Sequence, residues 1–122
     1  MRYALAYPQV AFRLVVNGRE SFAAALGRKS AGEMLPVRWE AADLRIEGFI
    51  SAPTISGPDR HGQHFFINGR PVRSGLLAVM LERPYAGRLP QNRRPLGVIH
   101  IRLDPHLVDV NVHPRKEEVR LS

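Results

Sequence analysis

The chain of 122 residues has no cysteine, which excludes disulfides and thiolate-bound metals and fits a reducing compartment. No apolar run approaches the roughly 18 residues of a membrane-spanning helix, and no charged, apolar and small leader opens the chain. A GxxxxGK[ST] phosphate loop, a GxGxxG fingerprint and a glycine-rich lid are all missing, so this stretch is not expected to bind or hydrolyse a nucleotide alone. Lysine is scarce too. Of 18 basic residues only Lys29 and Lys116 are lysines, and Lys116 stands out in a stretch that otherwise uses arginine.

What is present describes an ordinary globule, with 44% hydrophobic and 24% charged residues. The length suits one domain over residues 1–122, and no repeat, low-complexity tract or linker divides it. The net charge of +7 is placed unevenly: residues 1–59 carry 7 basic and 6 acidic groups, residues 60–122 carry 11 and 5. A half with a surplus of six positive charges favours a polyanion partner through counterion release, although arginine kept for solubility gives the same count.

Along the chain, residues 1–7 read as the tail of a helix. Val10, Phe12, Leu14 and Val16 alternate with Ala11, Arg13 and Val15, which predicts a strand, and Asn17-Gly18 predicts a hairpin turn returning through Glu20–Ala24. Ser30-Ala31-Gly32-Glu33 has capping-box spacing for a short helix through Leu35, stopped by Pro36. Strands are expected at Val37–Glu40 and Leu44–Ile50, then a loop from Pro53 to Gly62, a strand His64–Ile67 and a turn at Asn68-Gly69. Pro71 would be tolerated only at an edge or bend. Ser74 can cap a helix with Leu76, Leu77, Met80 and Leu81 as its apolar stripe, ending near Pro84. A basic loop, Ala86–Arg94, leads to strands Leu96–Leu103 and Val108–Val112 around the turn Asp104-Pro105-His106, and Val119–Leu121 is either a last strand or the root of a helix. Two helices among about seven strands imply an α+β fold, a two-layer sandwich of a mixed sheet with helices on one face.

Five histidines (61, 64, 100, 106 and 113) lie on four separate elements without HExxH spacing, so no metal site is expected. Asp104 and Asp109 flank a turn with no sign of a pocket, and no nucleophile-elbow pattern accompanies the serines. The nine aromatics read as core residues, not as a base-stacking platform.

Three blocks of sequence carry a resemblance. Asp104-Pro105-His106, Val108-Asp109-Val110-Asn111-Val112-His113-Pro114, Lys116 and Glu118-Val119-Arg120 form one. Phe65-Phe66-Ile67-Asn68-Gly69-Arg70 with Val72-Arg73 forms the second. Ala4-Leu5-Ala6-Tyr7-Pro8, leading to Phe12-Arg13-Leu14 and Asn17-Gly18-Arg19, is a weaker third. Together, and in this order, they resemble the MutL family of DNA mismatch repair proteins, over the second half of that family's N-terminal ATPase region. The resemblance implies the two-layer fold seen in the second domain of small-subunit ribosomal protein five and in type II topoisomerase transducer domains.

It also implies roles. Lys116 would contact the γ-phosphate of ATP held, with Mg²⁺, in a preceding GHKL-type domain, and His113 and Pro114 would shape its loop; a lone solvated lysine is the plain alternative. Arg70 and Arg73 are candidates for DNA phosphates, against Arg70 pairing with Asp59 or Asp109. Arg93 and Arg94, with Arg88, could add diffuse contacts or simply be solvated. Some bacterial relatives carry a further arginine where this chain has Gly75, which weakens the DNA role of that helix start. The partners implied are single- or double-stranded DNA without sequence preference, the ATPase domain of the same chain, a MutS-type mismatch-recognition protein and, in the full-length protein, a second copy. The setting implied is the bacterial cytoplasm at the nucleoid. A C-terminal endonuclease domain in the parent is left open. A stand-alone nucleic-acid-binding module of ribosomal-protein type is the competing reading, and a small phosphotransferase, lacking its phosphate loop, a third.

Overall fold

A computed structural model describes residues 2–5, 8–27, 34–111 and 118–120. Its elements are β1 (Arg2–Leu5), α1 (Pro8–Leu26), β2 (Met34–Glu40), β3 (Leu44–Ser51), β4 (Gln63–Ile67), β5 (Arg70–Val72), α2 (Gly75–Glu82), β6 (Gly97–Leu103), β7 (Val108–Asn111) and β8 (Glu118–Arg120). Five strands form a mixed sheet in the order β2-β3-β6-β4-β5, with β4 and β6 parallel and the other neighbours antiparallel. β7, β1 and β8 form a separate three-stranded sheet. This is the expected α+β sandwich.

The core lies between the larger sheet and the two helices. Ile46, Ile50, Ile67, Ile99 and Ile101 face inward from the strands, and Leu14, Phe22, Leu77, Met80 and Leu81 meet them from α1 and α2. β6 shows the alternation most plainly, with every second residue buried from Gly97 to Leu103. Each large apolar side chain taken out of water here contributes about 1.5–3 kcal/mol.

The N-terminal quarter differs from the sequence expectation. Residues 8–26 are helix, not a strand and a hairpin. The buried positions are Val10, Ala11, Leu14, Gly18, Phe22, Ala25 and Leu26, recurring at three and four. Phe12, whose apolar character created the false alternation, is 69% exposed. Pro8 suits the first helical position, and Ala23–Ala25 favour helix, so the β-branched pair Val15-Val16 is outvoted by packing. Gly18 is no turn. It lies where α1 meets α2, and a Cβ there would sit 2.5 Å from the Met80 sulfur.

Three further differences are local. Residues 2–5 form a strand and not a helix tail, paired to partners more than a hundred residues away. Ser30–Glu33, the proposed helix start, lies outside the described residues, but Met34 and Leu35 already belong to β2. Pro36 sits inside β2 without ending it, because β2 pairs on one side only.

Elsewhere the expected elements appear within a residue or two. The Ser74 hydroxyl accepts the Leu77 N–H at 3.2 Å and starts α2. The helix stops at Glu82 and tightens into a 3₁₀ turn over Arg83–Tyr85, as Pro84 demands. That turn is anchored by the Tyr85 hydroxyl, which donates to the Ser51 carbonyl at 2.5 Å, while the Ser51 hydroxyl accepts the Leu96 N–H at 2.9 Å.

Burial pushes the Tyr85 phenol up to about 12. A raised pKa in the folded state means that the unfolded chain loses this proton first as pH rises. Stability should therefore fall by about 1.4 kcal/mol per pH unit between roughly pH 10 and 12. Tyr85→Phe should abolish that slope and cost about 1–2 kcal/mol at neutral pH, because the Ser51 carbonyl loses its donor. Urea unfolding of both proteins at pH 7 and 10.5 checks this; identical pH slopes would remove Tyr85 from the account.

Candidate nucleic-acid interface

The β4–β5 hairpin turns on Asn68 (φ 51°) and Gly69 (φ 84°), the positive pair that Asn-Gly accommodates. Asn68 also ties the hairpin to β6: its N–H donates to the Ile101 carbonyl and its side-chain oxygen accepts the Leu103 N–H, each at 2.9 Å. Half of the Asn-Gly-Arg block is thus structural. Arg70 opens β5 and Arg73 follows it, both exposed on the strand that edges the sheet. Asp59, one of the two carboxylates weighed for Arg70, is engaged by His61, whose backbone N–H and Nδ1 both reach it at 2.9 Å. The side chain of Asp109 lies outside the described part.

Arg73 lies on a cleft of about 490 Å³ between β4, β5 and the start of α2, shared with Arg60, His61 and His64. Arg70 does not line it. Arg60 continues the basic surface toward α2: its guanidinium makes two 2.7 Å hydrogen bonds to the Glu82 carboxylate. The same carboxylate accepts from Arg94 at 3.0 Å and from the Gln63 amide at 2.9 Å. Arg93 donates to the Ser56 hydroxyl at 2.9 Å and to the Ser56 carbonyl at 2.6 Å. Two backbone bonds of 2.8 Å between Gly57 and Arg94 zip the two loops together.

Glu82, with 13% of its side chain exposed, is the hub. Burial opposes its ionisation, but hydrogen bonds from Arg60 and Gln63 and the charges of Arg60 and Arg94 win, and its carboxyl stays below the ordinary glutamate range. One carboxylate thereby fixes two guanidinium groups whose remaining donors stay available to solvent or a phosphate. Arg60 thus lines the cleft with Arg73 and shares the Glu82 carboxylate with Arg94, whose chain neighbour Arg93 is held by Ser56. Arg60 is not among the candidate arginines that the sequence suggests; its signal is the basic Arg60-His61 end of the loop that leads into β4.

The aromatics depart from expectation. Phe22, Phe65 and Tyr85 are core, but Phe49 is 53% exposed on the helix-free face of the sheet. Phe66 is half-buried on that face and stacks on His100, with ring centroids 4.7 Å apart and planes within 10°. Among the described residues no three His, Asp or Glu side chains converge as metal ligands, and no helix is long and apolar enough to cross a membrane.

His113, Pro114 and Lys116 lie outside the described residues. The strands on either side of them are described. Asn111, the last residue of β7, and Glu118, the first of β8, both pair with Arg2 of β1. The end of β7 and the start of β8 therefore lie at the same end of the small sheet, on either side of β1 and about 9–10 Å apart.

A model of the family described as "DNA mismatch repair protein, C-terminal domain" matches residues 22–122. The chain belongs to the MutL family of DNA mismatch repair proteins. It is 42% identical to the DNA mismatch repair protein MutL of Desulforudis audaxviator over 99% of its own length and 24% of that relative. It is 43% identical to MutL of Symbiobacterium thermophilum and 38% identical to MutL of Shouchella clausii, again over 99% of its length and 21% and 20% of theirs. A MutL-type chain of this size thus spans about a quarter to a fifth of the curated relatives it matches.

Proposed function

We propose that this chain is the DNA-contacting and signal-transducing domain of a MutL-type mismatch repair ATPase, one domain over residues 1–122 of a longer protein. The observation that carries the DNA part is that Arg60, which lines the cleft with Arg73, is held together with Arg94 on one largely buried carboxylate, in the half of the chain with the positive surplus. Guanidinium forks held at fixed spacing on exposed loops suit phosphate oxygens and carry no sequence information.

The second part of the proposal is that Lys116 reaches the γ-phosphate of ATP in a preceding GHKL-type domain. ATP and Mg²⁺ are assigned to that other domain on the family resemblance. Family membership and the pairing of Asn111 of β7 and Glu118 of β8 on either side of β1 support this reading. A compact ammonium on a long stem distinguishes a triphosphate from a diphosphate by the terminal charge alone, and its release lets the domains reorient. A MutS-type partner, a second copy in the full-length protein and the bacterial cytoplasm complete the proposal.

The DNA reading is tested by salt. Binding should be weak and sequence-independent, and log K should fall linearly with log salt. Arg73→Ala should reduce that slope by about 1 on duplex DNA and weaken all sequences alike. Fluorescence anisotropy from low to moderate salt measures both; a flat response would count against any phosphate-binding role.

A further inference from the structure

We propose that the cleft between β4, β5 and the first turn of α2 takes one unpaired nucleotide of a single DNA strand, its base lying against Phe66 and Pro71 and its phosphate at Arg73 and Arg60. This rests on the DNA-contacting role above and goes beyond it, because a phosphate track alone needs neither a cavity nor an aromatic.

The cleft's size of about 490 Å³ falls among sites that hold one small molecule. Its walls differ in chemistry. Phe66 and Pro71, paired across β4 and β5, supply an apolar side. Arg60 and Arg73 supply a cationic side, with His61 and His64 between. An apolar ring beside guanidinium groups is the combination by which single strands are held, since every base has a π-face and every nucleotide a phosphate. The Phe66 ring is backed by His100, which does not line the cleft. That stack fixes the ring before any ligand arrives and lowers the cost of ordering it on binding.

The cations are ready in the same sense. Glu82 holds Arg60 by two hydrogen bonds, whereas the Arg73 guanidinium makes no hydrogen bond or ion pair among the described residues. Arg73 is thus the cation of the cleft left open for an anion. A base inside a duplex is stacked on both sides and offers no free face, so blunt double-stranded DNA can use the arginines but not the ring.

The test compares a labelled oligothymidylate with a blunt duplex, using the 122-residue chain and anisotropy at fixed salt. Phe66→Leu keeps apolar bulk and loses the aromatic face. It should weaken the single strand about tenfold and leave the duplex within about twofold, the loss expected for one stacked base. His64→Ala, at an exposed position, should follow in the same direction more weakly. Equal losses on both DNAs, or none, would overturn the nucleotide site while leaving salt-sensitive DNA binding intact. Absence of binding to either DNA by the unaltered chain would overturn the DNA role itself. Free thymidine monophosphate at millimolar concentration should not displace the strand; displacement would make the ligand a free nucleotide instead. Should Phe66→Leu fail to fold, photocrosslinking of 5-iodouracil DNA to the unaltered chain decides. Crosslinks at Phe66 or His64 support the site, and crosslinks confined to other elements reject it.

Discussion

Lys116→Ala, introduced into the longer MutL-type protein, is expected to slow ATP turnover about a hundredfold, the effect of removing one preorganised group that meets developing charge. Sixteen of the 18 basic residues are arginine, so a lysine here is a choice of shape as well as charge. Lys116→Arg should restore little, since a planar fork replaces a compact point charge on a narrower stem. The described ladders of the small sheet rest on β7, up to Asn111, and β8, from Glu118. The variant domain should accordingly unfold at the same urea concentration as the parent. Steady-state hydrolysis measured beside unfolding separates the two effects. Turnover unchanged in a folded Lys116→Ala protein would dismiss the phosphate contact and leave the lysine a solvated surface group.

The largest expected effect on the fold comes from a single methyl group. Gly48 lies in the middle of β3, opposite Ile99 of β6 and Val37 of β2, with φ 156°. A Cβ at that position would land on the carbonyl oxygen of Val98. That atom belongs to the backbone of the neighbouring central strand and cannot swing aside as a flexible side chain would. Gly48→Ala should therefore cost at least about 4 kcal/mol, among the severe single substitutions and a large share of a domain's total stability. The same change at Gly75 makes a control. No atom lies within 4 Å of a Cβ built there, and the residue begins α2, so alanine should be neutral or stabilise by up to about 1 kcal/mol. Urea midpoints of the two variants give the contrast. A Gly48→Ala protein within about 1 kcal/mol of the parent would mean that β3 and β6 can part without penalty.

The elements that sequence reasoning placed well are those whose contacts are local or whose pattern is strict. β3, β4, β6 and α2 fall within two residues of expectation because alternation, an Asn-Gly turn, a serine cap and a proline stop each act over a few residues. The residues of α1 satisfy a period of two as well as one of three and four, so the sequence pattern alone also fits strands. The packing of Gly18 against Met80 and of Phe22 in the core, with Pro8 and Ala23–Ala25 favouring helix locally, selects the helix. β1 carries almost no signal of its own, since its ladder is built from residues 108–111 and 118–120.

The site divides in the same way. Family, the candidate arginines and the conspicuous Lys116 were legible in the chain, because residue identity and order record chemistry directly. That Arg73 shares a cleft with Arg60, that Glu82 gathers Arg60 and Arg94, and that Phe66 lies outside the core on His100 was not. Each of those depends on side chains between 12 and 34 residues apart meeting across separate elements. By itself, then, the sequence determined what this protein is related to and which charges it carries. The tertiary structure decided which of those charges act together, because proximity between distant residues is a property of the packed sheet and helices and of no local stretch of chain.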